Sequence, residues 1–523
     1  MGAACEKIAV EVAPYGEGRM EFEALIDYLS SGDAKRLHPS DLERALEGRG
    51  RELLRVLLQD HIDLRGRGVA AEAVIDARGA RRTKTRPHQR TLTTVFGDVS
   101  VERYGYGAPG QASVHPLDAQ MNLPVEQYSL EVRRRVAEET AKQSFEEVGQ
   151  SIEARTGVRI GKRQLEALAV RAARDFDAFY GARQSPSAPP PGSVLVISAD
   201  GKGVVMRKED LRPGTARAAH RQRHKYARRL AKGEKRNRKR MATVASVYAV
   251  AADPRAPEDI LRPLAPVGQA ERRPRPRAQD KRVWASLEKE PAEVLAEAFA
   301  EAQRRDPRHQ RPWMAVVDGN EHQLDLLERL RAVYGVEMDI VLDFIHVCEY
   351  VWKAAHALCR EGSAELEQWV STRLERILRG QAVGVAAGMR RSATTHRGHL
   401  SAAGRKPVDV CADYLRKYRA YLDYPRYLAR GYPIASGVIE GACRHLVKDR
   451  MDLTGARWSL SGAEAVLKLR ALRASADFHE YWRFHEAREQ DRNHRSQYQD
   501  NRVPEIIRPD LPARRSAHLR CVT

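Results

Sequence analysis

Three acidic residues that are far apart in this 523-residue chain follow or enter apolar segments, where an unpaired carboxylate is unfavourable. Asp200 ends an apolar run that begins at Ser193, and Asp318 ends a second run that begins at Trp313. Glu440 lies near the start of an amphipathic helical pattern. Carboxylates gathered at strand and helix ends repel one another unless a cation joins them. Because oxygen-only ligands favour hard metals such as Mg²⁺, the pattern predicts an acidic metal site.

The charge balance predicts which substrate such a site acts on. The formal net charge is +20, with 90 Lys and Arg against 70 Asp and Glu, which suits a polyanion such as nucleic acid. The sequence has no apolar segment of membrane-spanning length, no apolar leader region and no Cys-x-x-Cys pair among its six cysteines. We therefore expect a cytoplasmic protein that has reduced thiols, acts on phosphodiesters and has no membrane partner.

A two-metal mechanism gives each acid a predicted role. Two ions about 3.5–4 Å apart can activate an attacking oxygen and stabilise the leaving oxygen at phosphorus. We expect Asp200 to bridge two Mg²⁺ ions, with Mn²⁺ as a substitute, and Asp318 and Glu440 to hold one ion each. Water attacks first and frees a 3′-hydroxyl, which then attacks a second DNA strand. Lys202 either contacts a phosphate or is a solvated surface lysine.

Asp343 competes with Asp318 for the second acidic position, because it also ends an apolar strand pattern. Asp343 and His346 are about one helical turn apart and face the same way. A zinc site is not indicated, since Cys348 and Cys359 do not complete a tetrahedral set of ligands with this pair. We expect Asp318 to bind the metal because its strand is predicted to lie beside that of the first acid. Asp343 and His346 then support the ligands or contact DNA, with a structural His–Asp pair as the alternative.

Basic segments indicate where nucleic acid binds. Two helical patterns separated at Gly157 have the layout of a helix-turn-helix DNA reader, with a helical hairpin as the alternative. Residues 217–240 are dense in Arg and Lys, which predicts phosphate contacts rather than a solvated charge run. Trp458 either stacks on an unpaired base or is a core aromatic. The predicted DNA-binding residues are Lys162, Arg163, Gln164, Arg236, Arg238, Lys239, Arg240, Arg444, Lys448, Arg457 and Trp458.

The order of predicted elements indicates the fold. Strands are predicted at 193–200, 202–207, 242–250, 311–318 and 338–343, with a loop at 254–282 and helices at 287–304, 321–334 and 344–359. This is the order of a ribonuclease-H-like fold, an α/β core with a mixed five-stranded sheet flanked by helices. An all-α insertion interrupts it before Glu440. A mainly α N-terminal DNA-binding region with a small β-hairpin around Gly97 precedes the core.

The predicted domain boundaries follow these patterns. Before the core, the predicted regions are a helical region at 1–85, a β-hairpin segment at 86–125, a helix-turn-helix-like region at 126–183 and a Pro-rich linker at 184–192. The core then comprises a first part at 193–360, the helical insertion at 361–432 and the last core helix at 433–482. A basic, disordered tail follows at 483–523.

Several motifs together resemble a known family. They are ADGKGVVMR at 199–207, GEKRNRKRMATV at 233–244, VDGN at 317–320, DFIHV at 343–347, SGVIEG at 436–441 and GARW at 455–458, with a further match at 90–103. From about residue 90 to 472, the chain resembles bacterial insertion-sequence transposases of the DDE superfamily, in the Kra-type group related to Mutator-like enzymes. In this resemblance the catalytic triad falls on Asp200, Asp318 and Glu440. The D-x-x-H pattern falls on Asp343 and His346, where related enzymes have Cys or Asp before the His.

The resemblance implies a function and partners. The enzyme is expected to bind the terminal inverted repeats of its element, cleave there with Mg²⁺ and join the 3′-OH to target DNA. A long N-terminal region and a helical insertion fit a homodimer or larger assembly on double-stranded DNA, in the nucleoid of a bacterium. Two alternatives remain: a metal-dependent nuclease or resolvase that does not join strands, and a non-catalytic DNA-binding regulator.

Overall fold

The computed structural model describes residues 14–183, 192–223, 225–226, 230–231, 234, 236–261, 275–395, 401–453 and 455–507. The predicted Pro-rich linker lies outside these residues except for Gly192, as does part of the basic run at 217–240. The chain forms two compact units, residues 1–179 with 479–523 and residues 180–478. Each unit is described by itself.

The N-terminal part of the first unit combines helices with a small antiparallel sheet. Its helices are α1 (Gly16–Ser30), α2 (Gly32–Lys35), α3 (Pro39–Asp63), α4 (Pro116–Met121), α5 (Leu130–Thr140), α6 (Phe145–Thr156), α7 (Lys162–Ala172) and α8 (Phe176–Ala182), which crosses the unit boundary. Its strands are β1 (Val69–Ala70), β2 (Lys84–Thr94), β3 (Gly97–Ala108) and β4 (Gln111–Val114), and β2, β3 and β4 form one sheet in that order.

The predicted β-hairpin is present, but its turn lies two residues earlier than the Gly97-Asp98 pair indicates. Thr94 pairs with Gly97, so the turn consists of Val95 and Phe96. Gly97 has φ +125°, a conformation that side-chain-bearing residues rarely adopt, and it starts the returning strand. The Thr94 hydroxyl donates a hydrogen bond to the Gly97 carbonyl at 2.8 Å and closes the turn.

Helices α6 and α7 have local sequences that determine where they begin and end. Ser144 and Glu147 form a capping box at the start of α6, and Gly157 ends it with φ 72°. Buried Val148, Ile152, Leu165 and Leu168 belong to one core cluster. The two helices and the turn between them are therefore as predicted.

The second unit is built on a five-stranded mixed sheet. Its strands are β5 (Ser193–Val205), β6 (Lys239–Ala251), β7 (Gln279–Ser286), β8 (Trp313–Val317) and β9 (Met338–Leu342), in the order β7-β6-β5-β8-β9. The pairs β5–β6 and β6–β7 are antiparallel, whereas β5–β8 and β8–β9 are parallel. The predicted five-stranded mixed sheet flanked by helices is therefore confirmed.

Two strand assignments within this sheet were wrong. The predicted strands at 193–200 and 202–207 are one strand, β5, because residues 193–205 pair continuously with β6. Gly201 and Gly203 interrupt the apolar pattern without making a turn. The third strand is β7, whose first half falls in the segment predicted as a loop. Only its last five residues are buried, so the apolar signal was too short to stand out.

In its described part, the second unit also contains twelve α-helices after β5, of which five lie between β9 and the helix that carries Glu440. The twelve are α9 (Pro213–Arg221), α10 (Pro257–Leu261), α11 (Pro291–Arg305), α12 (Glu321–Tyr334), α13 (Phe344–Ala355), α14 (Ala364–Leu378), α15 (Ala382–Thr395), α16 (Ala402–Lys417), α17 (Tyr424–Ala429), α18 (Gly437–Ala442), α19 (Asp449–Met451) and α20 (Leu460–Ala474). A π-helical segment, Cys443–Lys448, joins α18 to α19. We call residues 361–432, which contain α14 to α17, the helical insertion.

The chain returns to the first unit through α21 (Phe478–Asn493) and the short strand β10 (Ile506–Ile507), which pairs with β1. The predicted disorder of residues 483–523 is therefore wrong for residues 483–507, and residues 508–523 lie outside the described part. The polar composition was misleading because several of these polar groups are buried and paired. His485 is fully buried against Asp175, and the Arg133 guanidinium contacts Glu489 at 3.1 Å.

Among the described residues, no helix has both the length and the apolar character needed to cross a membrane.

An acid-sensitive ion cluster in the second unit gives a prediction about stability. Glu301 of α11 is buried, yet Arg282, Arg305 and Arg304 outweigh burial and lower its pKa to about 2. A carboxylate with a depressed folded-state pKa stabilises the fold above its unfolded pKa of about 4.5, and this stabilisation is lost as pH falls towards about 2. Glu301→Gln should therefore lower the melting temperature at pH 7, and the difference from wild type should shrink towards about pH 3. Glu337→Gln, at an exposed site, is the matched control. A difference that is the same at both pH values would contradict the prediction.

Candidate metal centre

Strand register brings three of the acidic residues to one edge of the sheet. β5 pairs with β8 through Ser198 and Val316, and β8 pairs with β9 through Val317 and Leu342. Two residues beyond Ser198 and Val316, the first register aligns Asp200 with Asp318. One residue beyond Val317 and Leu342, the second register aligns Asp318 with Asp343. Aligned residues of parallel neighbours point to the same face, and neighbouring strands lie about 4.8 Å apart. Three carboxylates therefore share one row.

Local sequence explains why Asp318 stands at the strand end. Gly319 adopts φ +92°, which lets the chain turn immediately after Asp318. The Asn320 amide donates to Asp318 Oδ1 at 3.0 Å, and the Asn320 side chain caps α12 by accepting from Gln323. Asp318 is partly exposed, so its carboxylate remains accessible.

Asp343 is completely buried, and its hydrogen bonds tie β9 to the segment that carries Glu440. One carboxylate oxygen accepts from the Ile345 amide at 2.8 Å and caps α13. The other accepts from the Ser436 amide at 3.3 Å and from the Ser436 hydroxyl. Ser436 is the N-cap residue of α18, so this pairing determines where the helix with Glu440 begins.

The side chains of Asp343, His346 and Glu440 form a cluster that can hold a metal ion. One ligand atom from each lies within 4.8 Å of those of the other two. Asp343 is buried, His346 is half-buried and Glu440 is exposed, so the cluster opens to solvent on the Glu440 side. Asp200 and Asp318 are outside this compact set. Asp200 Oδ2 instead accepts a hydrogen bond from the thiol of Cys443, three residues after Glu440, at 3.1 Å.

The pKa shifts indicate that the acids influence one another. Burial and the charge of Asp343 raise the pKa of Glu440, Asp200 raises it further, and His346 opposes them. The interaction with the Asp343 carboxylate raises the pKa of His346 to about 9, and the charge of Asp318 adds to this effect. The contact between His346 Nδ1 and Asp343 Oδ2 is long, at 3.5 Å, and resembles an ion pair more than a hydrogen bond.

The donor set suits a hard divalent cation. Asp200, Asp318, Asp343 and Glu440 supply carboxylate oxygens, which Mg²⁺ and Mn²⁺ prefer. Burial, together with the repulsion from Asp343 and Asp200, raises the pKa of Glu440, and a bound cation would oppose both effects. Because Asp343 already accepts hydrogen bonds from Ile345 and Ser436, the partly exposed acids are better placed as direct ligands.

The predicted DNA-contacting residues of the second unit differ in exposure. Lys202 is half-buried, and its charge acts on the Cys443 thiol. Arg240 donates to the carbonyls of Leu287 and Asp210, which makes it a structural residue. The exposed members of the predicted set are Arg236, Arg238, Lys239, Arg444, Lys448 and Arg457.

The structure corrects the prediction for Trp458. Its ring is only 7% exposed, and its indole N–H donates to the Met451 carbonyl at 3.1 Å. Arg450 lies over the ring at 4.8 Å, and the Trp458 backbone bonds to Val205 and Arg207. Trp458 is therefore a core aromatic, and its buried ring is not available to stack on a base.

The predicted basic residues of the first unit lie at the exposed start of α7. Lys162, Arg163 and Gln164 are all exposed. Lys162 forms a solvent-exposed ion pair with Glu146 at 2.6 Å. Such a pair contributes little to stability, so Lys162 can exchange Glu146 for another anion. Gln164 Oε1 accepts from the Tyr128 hydroxyl at 3.0 Å.

Sequence reasoning missed three residues that shape the centre, namely Ser436, Cys443 and Tyr414. Ser436 precedes a helix and so carried the signal of an N-cap residue. Cys443 is three residues after Glu440, a spacing that places both on one helix face. The Tyr414 hydroxyl donates to the Asp318 carbonyl at 3.1 Å, but 96 residues separate the two and no local pattern connects them.

A second group with metal-ligand side chains lies in the first unit, at Asp175, His485 and Glu489. All three are buried, but Arg492 and Arg133 already neutralise the carboxylates. This group is best explained as a buried ion cluster that attaches α21.

No family model matches this chain, and a search of curated proteins found no match either.

The coupling between His346 and Asp343 can be tested directly. In metal-free protein, the imidazole of His346 should titrate near 9, and Asp343→Asn should bring its pKa towards the ordinary value of about 6.5. Mg²⁺ should lower the wild-type value, because a nearby cation disfavours imidazolium. NMR of the imidazole signals would measure both effects, with His346→Gln to assign the resonance and Glu367→Gln as a control. An unchanged pKa in Asp343→Asn would contradict the assignment.

Proposed function

We propose that this protein is a DDE-type DNA transposase with a ribonuclease-H-like catalytic core. The observation that carries the proposal is the convergence of Asp200, Asp318 and Asp343 at one sheet edge, with Glu440 clustered against Asp343 and His346. These residues come from three strands and a helix beyond the helical insertion. The strand order β7-β6-β5-β8-β9 and the quoted sequence motifs support the same conclusion.

Asp200, Asp318 and Glu440 are the proposed ligands for two Mg²⁺ ions. When bound, these ions would polarise the scissile phosphate and lower the pKa of the attacking water. Asp343 holds the start of the Glu440 helix through Ser436, and Cys443 orients Asp200 through its Oδ2 atom. His346 lowers the pKa of Glu440 and so partly offsets the repulsion among the acids.

Nucleic acid as the substrate is supported by charge. The chain carries a formal net charge of +20, and Arg444 and Lys448 are exposed within two turns of Glu440 on the same helical run. Such side chains contact the phosphate backbone and position it without reading bases. The exposed start of α7 would supply duplex contacts in the first unit.

The decisive test is strand cleavage and joining on DNA that carries the flanking sequences of the gene. With Mg²⁺, wild-type protein should cut at the element ends and transfer the 3′-OH to target DNA. Asp200→Asn, Asp318→Asn and Glu440→Gln should each lose at least about a hundredfold in rate, because each removes a metal ligand. Gel analysis of labelled strands would measure both steps.

Glu349→Gln is the matched control, since it removes an exposed acid from α13 beside the cluster without removing a proposed ligand. Cleavage without joining would favour a nuclease or resolvase. Binding without cleavage by wild type would favour a regulator. If Asp318→Asn cleaved normally and Asp343→Asn did not, the second metal acid would be Asp343.

The DNA-binding role of α7 gives a separate prediction. Arg163→Ala should weaken duplex binding several-fold and reduce the slope of log affinity against log salt by about 1, because one phosphate contact is lost. Fluorescence anisotropy at several salt concentrations would measure this. Arg44→Ala, an exposed arginine on α3, should leave the slope unchanged. Equal slopes for wild type and Arg163→Ala would remove α7 from the interface.

A further inference from the structure

A groove with apolar walls lies in the first unit, between α3, the turn that joins β2 to β3, α4 and α5. It encloses about 630 Å³, which is within the size range of sites that bind ligands. We call it the α3–α5 groove. Its apolar lining consists of Leu58, Ile62, Leu92, Val95, Phe96 and Met121.

The polar rim of the α3–α5 groove carries positive charge. Arg65 and Arg135 both line it. Arg65 is exposed, and its Nε donates to His61 Nε2 at 3.2 Å rather than to a carboxylate. The acid in the lining, Glu131, is shared between Arg135 and Arg134, so it neutralises only part of their charge. The rim therefore suits an occupant with an acidic group beside apolar side chains.

The described part of the chain begins at the rim of this groove. The hydroxyl of Tyr15 contacts Nδ1 of His61, which lines the groove, at 3.1 Å. The Gly18 amide donates to Asp60 Oδ2 at 2.8 Å, which holds the start of α1 against the end of α3. An extended chain advances about 3.3 Å per residue, so residues 8–12 reach between about 10 and 23 Å from Tyr15. The groove is within that reach.

The sequence just before the described part matches the groove in chemistry. Ile8, Val10 and Val12 alternate with Ala9 and Glu11. In an extended chain, alternate side chains point to opposite sides, so the three β-branched residues form one apolar edge. The acid lies on the other edge, where it stays near solvent and the arginines of the rim.

We propose that residues 8–12 of this chain bind in the α3–α5 groove as an extended segment. The apolar edge packs on the apolar lining, because burying β-branched side chains removes apolar surface from water on both partners. Glu11 pairs with Arg65 at the rim, and this pair determines which way the segment lies.

Binding of the segment would extend the core that supports the predicted DNA-binding helix. Val95 lines the groove and belongs to the same core cluster as Leu165 and Leu168 of α7. The inference does not depend on the proposed function, since none of these residues belongs to the candidate metal centre.

Disulfide crosslinking in the full chain tests the proposal. In a background with Cys5→Ser and Cys521→Ser, Val10→Cys should crosslink with Met121→Cys, a position in the lining. Val10→Cys with Val125→Cys is the matched control, because Val125 is 66% exposed and lies outside the lining. Random collision favours the more exposed control position, whereas binding favours Met121. Peptide mass spectrometry after mild oxidation would measure both yields.

Further variants test the two edges of the segment. Val12→Asp places a charge on the apolar edge and should lower the crosslink yield roughly tenfold, whereas Ala9→Asp adds the same charge to the other edge and should change it little. Arg65→Glu should lower the yield several-fold, and Glu11→Arg in the same chain should restore it. Arg44→Glu, which reverses an exposed arginine outside the lining, is the control for this change.

Three outcomes would overturn the proposal. The first is an equal yield at Met121 and Val125. The second is a failure of Glu11→Arg to rescue Arg65→Glu. The third is a crosslinked product of twice the chain mass on a non-reducing gel, because the segment would then bind a second copy rather than its own chain. None of these outcomes bears on DNA cleavage, so the proposed function would stand or fall separately.

Discussion

The hydrogen bonds between Asp343 and Ser436 are the constraint on which the candidate centre depends. They join the end of β9 to the start of the Glu440 helix across 93 residues of sequence. A fully buried carboxylate is costly unless its oxygens are satisfied, and Ile345 and Ser436 satisfy those of Asp343. The same bonds therefore stabilise a buried charge and position Glu440. The fold and the site are linked through one side chain.

Electrostatic repulsion opposes this arrangement. Burial and the neighbouring carboxylates raise the pKa of Glu440, and only His346 among its main charged neighbours lowers it. Such unfavourable clustering is common where function requires it and uncommon where only stability is at stake. The π-helical segment that begins at Cys443 is a further departure from regular structure, directly beside Asp200. The clustered carboxylates and the π-helical segment are thus two independent deviations from ideal structure at the same site.

Sequence reasoning succeeded where the signal was local and failed where it was not. Apolar runs located β8 and β9, and hence Asp318 and Asp343, because fully buried parallel strands read as continuous hydrophobic segments. It divided β5 at two glycines and missed β7, since pairing partners rather than local pattern maintain those strands. Composition failed for α21 because its buried charges are neutralised by residues more than 300 positions away. Contacts such as Asp343 with Ser436 depend on tertiary structure alone.

The position of the helical insertion explains how a long segment can interrupt the core that carries the acids. The Phe344 amide at the start of α13 donates to the Ile434 carbonyl, so α13 and the insertion together leave and re-enter the core at neighbouring points. Lengthening a loop whose ends are already held together costs little additional entropy. The insertion is nevertheless more than a tolerated loop. Tyr414 reaches back to the Asp318 carbonyl, and Tyr424 donates to the Leu342 carbonyl at 2.8 Å. These contacts hold the ends of β8 and β9, next to Asp318 and Asp343. The insertion therefore helps to position the acids of the candidate centre.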